Sequence, residues 1–411
     1  MSAFNFNDWD TPAPRTPSSA PAGAAPTSAA ATTTTAAATA ATAAAPEPRP
    51  GLDANAARNP AMLAPEARPG ALAPARVPDK RIVNGQGDIN QLAPFKYPWA
   101  WEFFLNANKN HWTPLEISMA QDVHDYHHRL TPAERHLFEN VLSYLTTSDI
   151  LAMRNIGLAV MEKMTAPELQ IYQARQVYEE ALHTWTYQHC IESLGLDQQE
   201  IYNRYRVVPE IHGKIALANR RLERVMRADS GPGGACDLRN RDNLHEFALS
   251  YLFFAAIFEG CWFYNGFSPI FALQRRGLMK GTAEQLQYIM RDEVLHCAFG
   301  IRAVRTLIAE EELELDPQAV SLLWQEAEAA EAAYSGYLLR EPMLGYSATQ
   351  HMGQFRYIAN RRARQLGLAE PFPGAENVLP WLDEQANLRK EKNFFETRVT
   401  EYQTGGALAW E

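Results

Sequence analysis

VYEEALHTWTYQHCI, residues Val177 to Ile191, decides the fold. Read with a helical period it sets Glu180, His183 and Tyr187 one turn apart on a single face, because residues three and four apart are neighbours on a helix. Val177, Tyr187, Ile191 and Leu194 continue that face as an apolar stripe. A carboxylate, an imidazole and a phenol are therefore directed inward. RDEVLHCAFGI repeats the ExxH spacing, with Glu293 and His296 inside a second apolar helix. Two such pairs predict a dinuclear metal site.

The partners of these pairs are isolated acids in apolar helices. Phe247 to Leu273 carries one charged residue, Glu259, and a lone carboxylate in such a run must be paired, protonated or bound to a cation. LSYLTTSDILAMRNI holds the second, Asp149, amid an inward stripe of Leu142, Leu145, Ala152 and Ile156. The order acid, ExxH, acid, ExxH repeats with similar spacing. Asp149 to Glu180 spans 31 residues and Glu259 to Glu293 spans 34, each enough for a helix, a turn and an antiparallel return to the same depth. Four carboxylates and two imidazoles from four helices match the ligand pattern of ferritin-like di-iron and di-manganese proteins. Oxygen-rich donors with one nitrogen per metal suit Fe or Mn better than Zn.

A rival polar cluster, Asp122, His124, Asp125, His127 and His128, precedes a helix stop with charges all round, and reads as a solvated helix end. Glu179 points about 100° away from Glu180 and reads as a supporting or surface group.

Composition sets the frame. Of 411 residues, Met1 to about Pro78 is mostly Ala, Pro, Thr and Ser, with too little apolar surface to offset its ordering entropy. The expectation is a disordered extension over 1–78, a metal-binding helical domain over 79–370 and a flexible tail over 371–411. The acidic start MSAFNFNDWD, with no apolar run behind it, carries no targeting signal, and the expected compartment is the cytoplasm. Cys190, Cys236, Cys261 and Cys297 lack CxxC spacing and read as buried free thiols. A net charge of −10 argues against nucleic-acid binding. The run from Phe247 to Leu273 is long enough to cross a bilayer, but it is a single segment interrupted by Asn265, Gly266 and Pro269, so it reads as the centre of a soluble bundle.

Helix starts recur along the chain. Thr113-Pro114-Leu115-Glu116 and Thr131-Pro132-Ala133-Glu134 each offer an N-cap Thr, Pro at the first position and Glu at the third, and Thr165 with Glu168 and Thr282 with Gln285 repeat the pattern. The periodicity predicts helices over about 114–129, 132–159, 166–194, 210–228, 242–266, 283–310, 317–338 and 347–366. Arg81 to Pro94, with KYPWAWEFF behind it, reads as an extended arm. The predicted class is all-α, a ferritin-like bundle of long helices.

With these residues in view, the stretch from about Arg81 to Glu411 resembles the small, radical-generating subunit of class I ribonucleotide reductase. EALHTWTY and RDEVLH carry the resemblance, together with HWTPLE. It implies that Asp149, Glu180, His183, Glu259, Glu293 and His296 hold two metals, two Fe in the first instance, with Mn/Mn and Mn/Fe also known in the family. It implies that Tyr187 is oxidised to a stable radical, shielded by Phe263, Phe267 and Ile289. A neutral phenoxyl survives only where water and reductants are excluded. The resemblance also makes Trp112 and Asp292 the start of an electron and proton path through His183, and Tyr402 a redox residue in a tail that docks on the large catalytic subunit, with Trp410 as an anchor. A homodimer is expected, with no membrane or nucleic-acid partner. A stand-alone ferritin-like oxidase would share the ligands without needing Trp112, Asp292 or Tyr402, and an iron-storage protein would not need Tyr187 either.

Overall fold

The computed structural model describes residues 76–83, 91–227, 237–341 and 343–387. Tyr402, Trp410, Cys236 and nearly all of the Ala/Pro/Thr-rich extension lie outside the described residues. Among the described residues the regular structure is helical, and two isolated antiparallel bridges, Val83 with Met164 and Met343 with Tyr346, stand in place of a sheet.

The chain runs through α1 (Pro98–Ala107), α2 (Ala120–His128), α3 (Pro132–Arg154), α4 (Pro167–Ser193), α5 (Gln198–Val207), α6 (Pro209–Arg227) and α7 (Arg241–Leu252). It continues through α8 (Tyr264–Arg275), α9 (Lys280–Glu310), α10 (Pro317–Leu338), α11 (Ala348–Leu366) and α12 (Pro380–Asn387). Two π-helical segments, Asn155–Val160 after α3 and Phe253–Phe263 between α7 and α8, extend their neighbours without a break. The α3 helix, α4, α9 and the Phe253–Phe263 segment pack against one another as the four-helix centre.

At Thr131 the structure follows the sequence. Its hydroxyl accepts from the Glu134 amide at 3.2 Å while Glu134 accepts from the Thr131 amide at 2.8 Å, closing a capping box. The other three predicted caps differ. Thr113 makes no side-chain cap, and a 3-10 turn over Pro114–Glu116 ends at extended Ile117 before α2 starts afresh. Thr165 donates its hydroxyl to the Arg81 carbonyl at 2.9 Å, and Glu168 accepts from the amides of Lys96 and Tyr97, both at 3.0 Å, so these residues tie down the incoming arm.

Thr282 lies inside α9, and its amide and hydroxyl both donate to Asp122, each at 2.7 Å. Asp122 also accepts from the Gly281 amide at 2.8 Å, and Asp125 from the Met279 amide at 3.1 Å. Of the cluster read as a solvated helix end, Asp122 and Asp125 are therefore a buried cap, while His124, His127 and His128 are exposed as that reading expects. Two carboxylates of α2 satisfy the free amides at the start of α9, where the helix dipole favours negative charge.

Three short helices were not visible in the periodicity. KYPWAWEFF forms α1, which starts on Pro98 and buries Trp99, Ala100, Phe103 and Ala107. Residues Ile82 and Val83 of the preceding arm are fully buried. Pro269, expected to interrupt the apolar run, sits inside α8. It cannot donate to the Asn265 carbonyl, and the Ser268 hydroxyl donates to that oxygen instead, at 2.5 Å. The helix Arg241–Arg275 is long and apolar enough to cross a membrane, but 94% of its most apolar window is buried inside the bundle. Cys190, Cys261 and Cys297 are buried free thiols.

Candidate metal centre

The six predicted ligands reach the bundle interior from four helical segments: Asp149 from α3, Glu180 and His183 from α4, Glu259 from the π-helical Phe253–Phe263, Glu293 and His296 from α9. All six are buried. Two glycines let the backbones meet here. A Cβ on Gly260 would stand 2.8 Å from the Cys297 sulfur, and one on Gly300 would stand 2.5 Å from the Ala255 Cβ, so both glycines press α9 against the π segment. The buried Arg362 donates from Nε to the Gly260 carbonyl at 2.9 Å, satisfying an oxygen next to Glu259.

The donor atoms fall into two overlapping groups. Asp149, Glu180, His183 and Glu293 converge with donor atoms within 4.8 Å of one another, as do Glu259, Glu293 and His296. Glu293 presents one oxygen to each imidazole, 3.3 Å from His183 Nδ1 and 3.5 Å from His296 Nδ1. Glu180 does the same, at 3.6 Å and 3.1 Å. Two carboxylates thus lie between two histidines, where each could serve both metals of a bound pair.

Both imidazoles are aimed by their outer nitrogens. His183 Nε2 is 3.2 Å from Asp292, which also accepts from the Trp112 indole at 3.2 Å and from the Asn110 amide at 2.5 Å. His296 Nε2 is 2.8 Å from Glu179, and the Arg175 guanidinium donates to that carboxylate at 2.9 Å. Gln176 donates to both Glu259 oxygens, at 3.2 and 3.3 Å. Carboxylates behind metal-binding histidines fix the ring orientation and raise ligand basicity. Sequence reasoning missed Arg175, Gln176 and Asn110 and left Glu179 open. The i, i+4 spacings of Arg175 with Glu179 and of Gln176 with Glu180 were the available signal.

Electrostatics test whether metals fit. Burial, reinforced by Glu180, pushes the Asp149 and Glu259 carboxyls well above the usual range. Burial alone would raise Glu180 as well, but the adjacent His183 and His296 imidazoles hold it below its ordinary value. Burial opposes charge on the imidazoles, yet both rise well above the usual histidine range because of the carboxylates around them. The cluster draws in whatever positive charge is present. Both oxygens of Asp149, Glu180 and Glu293, and the Nδ1 atoms of both histidines, are buried without a hydrogen-bond partner. Lone-pair donors orphaned together, with their outer atoms satisfied, are what a pair of divalent ions completes.

Tyr187 lies on the same face of α4 and is fully buried. Its hydroxyl lies beside Asp149 without forming a well-aligned hydrogen bond, and burial and then that carboxylate keep the phenol firmly protonated. Phe263, Phe267 and Ile289 are fully buried in the same core, with the two phenylalanine rings 6.3 Å apart. Trp112 stacks on His183 at 6.3 Å between ring centroids and on Tyr288 at 5.4 Å.

A bundle of long helices enclosing this set of carboxylates and histidines is a ferritin-like protein with a cluster able to hold two metals. The family profile described as "Ribonucleotide reductase, small chain" matches residues 89–380. The ribonucleoside-diphosphate reductase subunit beta of Chlamydia pneumoniae is 37% identical over 347 residues, covering 83% of this chain and 98% of that protein. Among solved structures, the ribonucleotide reductase R2 subunit from Clostridium botulinum aligns with a TM-score of 0.66 at 22% identity, over 75% of this chain and 94% of that one. A ribonucleotide reductase homodimer from Saccharomyces cerevisiae aligns with a TM-score of 0.57 at 19% identity, over 76% and 89%. The chain belongs to the small-chain family of ribonucleotide reductases and is an oxidoreductase subunit.

Proposed function

We propose that this subunit builds its dinuclear centre on Asp149, Glu180, His183, Glu259, Glu293 and His296, that Tyr187 stores the oxidising equivalent as a neutral phenoxyl radical, and that the equivalent passes to a large catalytic subunit where ribonucleoside diphosphates are reduced. The observation that carries this reading is Tyr187 itself, a phenol fully buried beside Asp149, the acid of the first ligand group. The metals, two Fe in this reading with Mn/Mn or Mn/Fe also accommodated by the donors, supply one-electron oxidising power after reaction with O2 or a related oxidant.

The remaining work belongs to the chain. Phe263, Phe267 and Ile289 exclude water from the phenol. Asp292 holds His183 through Nε2 and Trp112 through its indole N–H, so one carboxylate joins the metal side to an aromatic ring nearer the surface. Tyr402 in the tail, outside the described residues, continues that path to the partner.

A second copy of the chain is the occupant we assign to the outer face of α3 and α4. Ile150, Leu158, Tyr178 and Trp185 are exposed by 40%, 52%, 55% and 41%. A Cβ at Gly157 would touch Val177, which sets Leu158 level with Tyr178 and, by the antiparallel course of the helices, Ile150 level with Trp185. The yeast relative with this fold is a homodimer. The subunit acts in the cytoplasm in this reading.

Metal analysis tests the ligand set. The native chain reconstituted with Fe(II) and O2, or with Mn(II), is expected to carry about two metals per chain, and Glu259→Ala to lose most of them. Full metal content in Glu259→Ala would overturn the assignment.

A further inference from the structure

Outside the metal centre, the bundle buries a second charged group that the proposed mechanism does not use. Lys214 of α6 is fully buried, and its ammonium donates to Glu331 of α10 at 2.5 Å. The other Glu331 oxygen accepts from the Asn265 amide at 2.7 Å and lies 2.6 Å from His351 Nε2. The carboxylate is therefore satisfied away from the lysine. On its open side the ammonium faces three aromatic rings, with centroids at 3.8 Å for Tyr144, 4.5 Å for Tyr334 and 4.7 Å for Trp262. Such a cage stabilises the cation through the ring faces, and a cation on a ring face makes an electron harder to remove from that ring.

Two of these rings, Trp262 and Tyr144, share helical segments with proposed metal ligands. Trp262 comes three residues after Glu259 and directly before Phe263. Tyr144 stands five residues before Asp149 on α3, about 7.5 Å of helical rise, and both Asp149 and Glu331 act on its phenol electrostatically. Among the described residues, neither the Tyr144 hydroxyl nor the Trp262 indole N–H donates a hydrogen bond to an acceptor. Oxidation of either ring would leave a buried radical cation with its proton in place, next to an ammonium.

We propose that Lys214 is a positioning residue of the radical chemistry, an electrostatic guard that keeps Tyr144, Trp262 and Tyr334 from being oxidised and so confines the oxidising equivalent to Tyr187 and the Trp112 side. The inference rests on the reading of Tyr187 as the radical site. The reaction it prevents is a one-electron transfer: the indole of Trp262, or the phenol of Tyr144 or Tyr334, gives one electron to the oxidising equivalent, which is reduced by one electron, and the ring becomes a radical cation.

The test is electron paramagnetic resonance after reconstitution with Fe(II) and O2, on protein grown with ring-deuterated tyrosine or indole-deuterated tryptophan. The native chain is expected to give one tyrosyl signal, unaffected by indole deuteration. In Lys214→Met/Glu331→Gln, which removes both charges together, the Tyr187 signal is expected to lose intensity. A second signal should appear, one that narrows on indole deuteration or survives a further Tyr187→Phe change. An unaltered Tyr187 signal with unaltered decay, at the native metal content, overturns the inference.

A measurement without the double variant covers the case in which it does not fold. Burial holds the Lys214 ammonium down to about 8 against the pull of Glu331, so the native chain loses the cation as the pH rises above that value, and the second signal must grow with it. Lys214→Arg, which stays charged, must not show that growth. Growth in both, or in neither, overturns the guard role. Absence of any radical in the native chain at neutral pH removes the underlying reading instead, and is seen before a cage variant is made.

Discussion

Replacing Glu179 by Gln probes how the histidines are aimed. In the native structure the carboxylate lies 2.8 Å from His296 Nε2 and is held by Arg175 at 2.9 Å, both within a fully buried setting. Gln keeps the shape and removes the charge, so His296 loses the partner that raises its basicity while the ring keeps its place. Outer carboxylates of this kind contribute about 10–100-fold in metal affinity, or about 1.4–2.7 kcal/mol. The donor groups are unequal with respect to this change, because His296 belongs to the Glu259 group and His183 to the Asp149 group. Competition of Mn(II) against a chelator, followed as two binding steps, is therefore expected to show one step weakened by that factor and the other changed much less. Asp292→Asn should weaken the opposite step. Native affinity at both steps in Glu179→Gln would refute the claim that this carboxylate tunes the site.

Asp122→Ala removes the acceptor of two α9 amides and the Thr282 hydroxyl and should cost about 2–4 kcal/mol in urea unfolding, with metal content per folded chain retained. The Glu331 carboxyl is held at about 2 against an ordinary 4.5 because Lys214 and His351 outweigh burial. Its folded value is depressed, so its contribution of about 3 kcal/mol is present above pH 4.5 and is lost as the pH falls towards 2. Lys214→Met/Glu331→Gln should flatten that part of the stability curve while changing stability at pH 7 little, because a buried pair and its neutral replacement nearly break even. Truncation after Lys392 should leave the metal centre intact and abolish binding to the large subunit, whereas Tyr402→Phe should keep binding and lose turnover in a coupled assay.

The sequence disclosed the centre of the bundle because metal chemistry imposes a pattern that chance rarely repeats. Two ExxH pairs and two isolated acids, Asp149 and Glu259, sit where an apolar stripe must otherwise be continuous. What it hid depends on contacts between distant segments. Asp122 and Asp125 look like a solvated helix end because their partners, the first amides of α9, lie more than 150 residues away. Glu179 looks peripheral on its own helix because only the packing of α9 brings His296 behind it. The short helix α1 escaped notice because its ten residues show less than three turns of periodicity, and Pro269 is tolerated only because Ser268 takes over the orphaned carbonyl. The Lys214 cage is assembled from four helical segments and leaves no local signature in any of them.

The central claim is that Tyr187 holds the oxidising equivalent generated at the buried metal pair, and the direct measurement is the electron paramagnetic resonance spectrum of Tyr187→Phe beside the native chain, each reconstituted with Fe(II) and O2 and each assayed for metal. The account predicts about two metals per chain in both, a tyrosyl signal in the native chain that collapses on ring deuteration of tyrosine, and no such signal in Tyr187→Phe. The same tyrosyl signal in Tyr187→Phe, or a fully metal-loaded native chain without one, would contradict it.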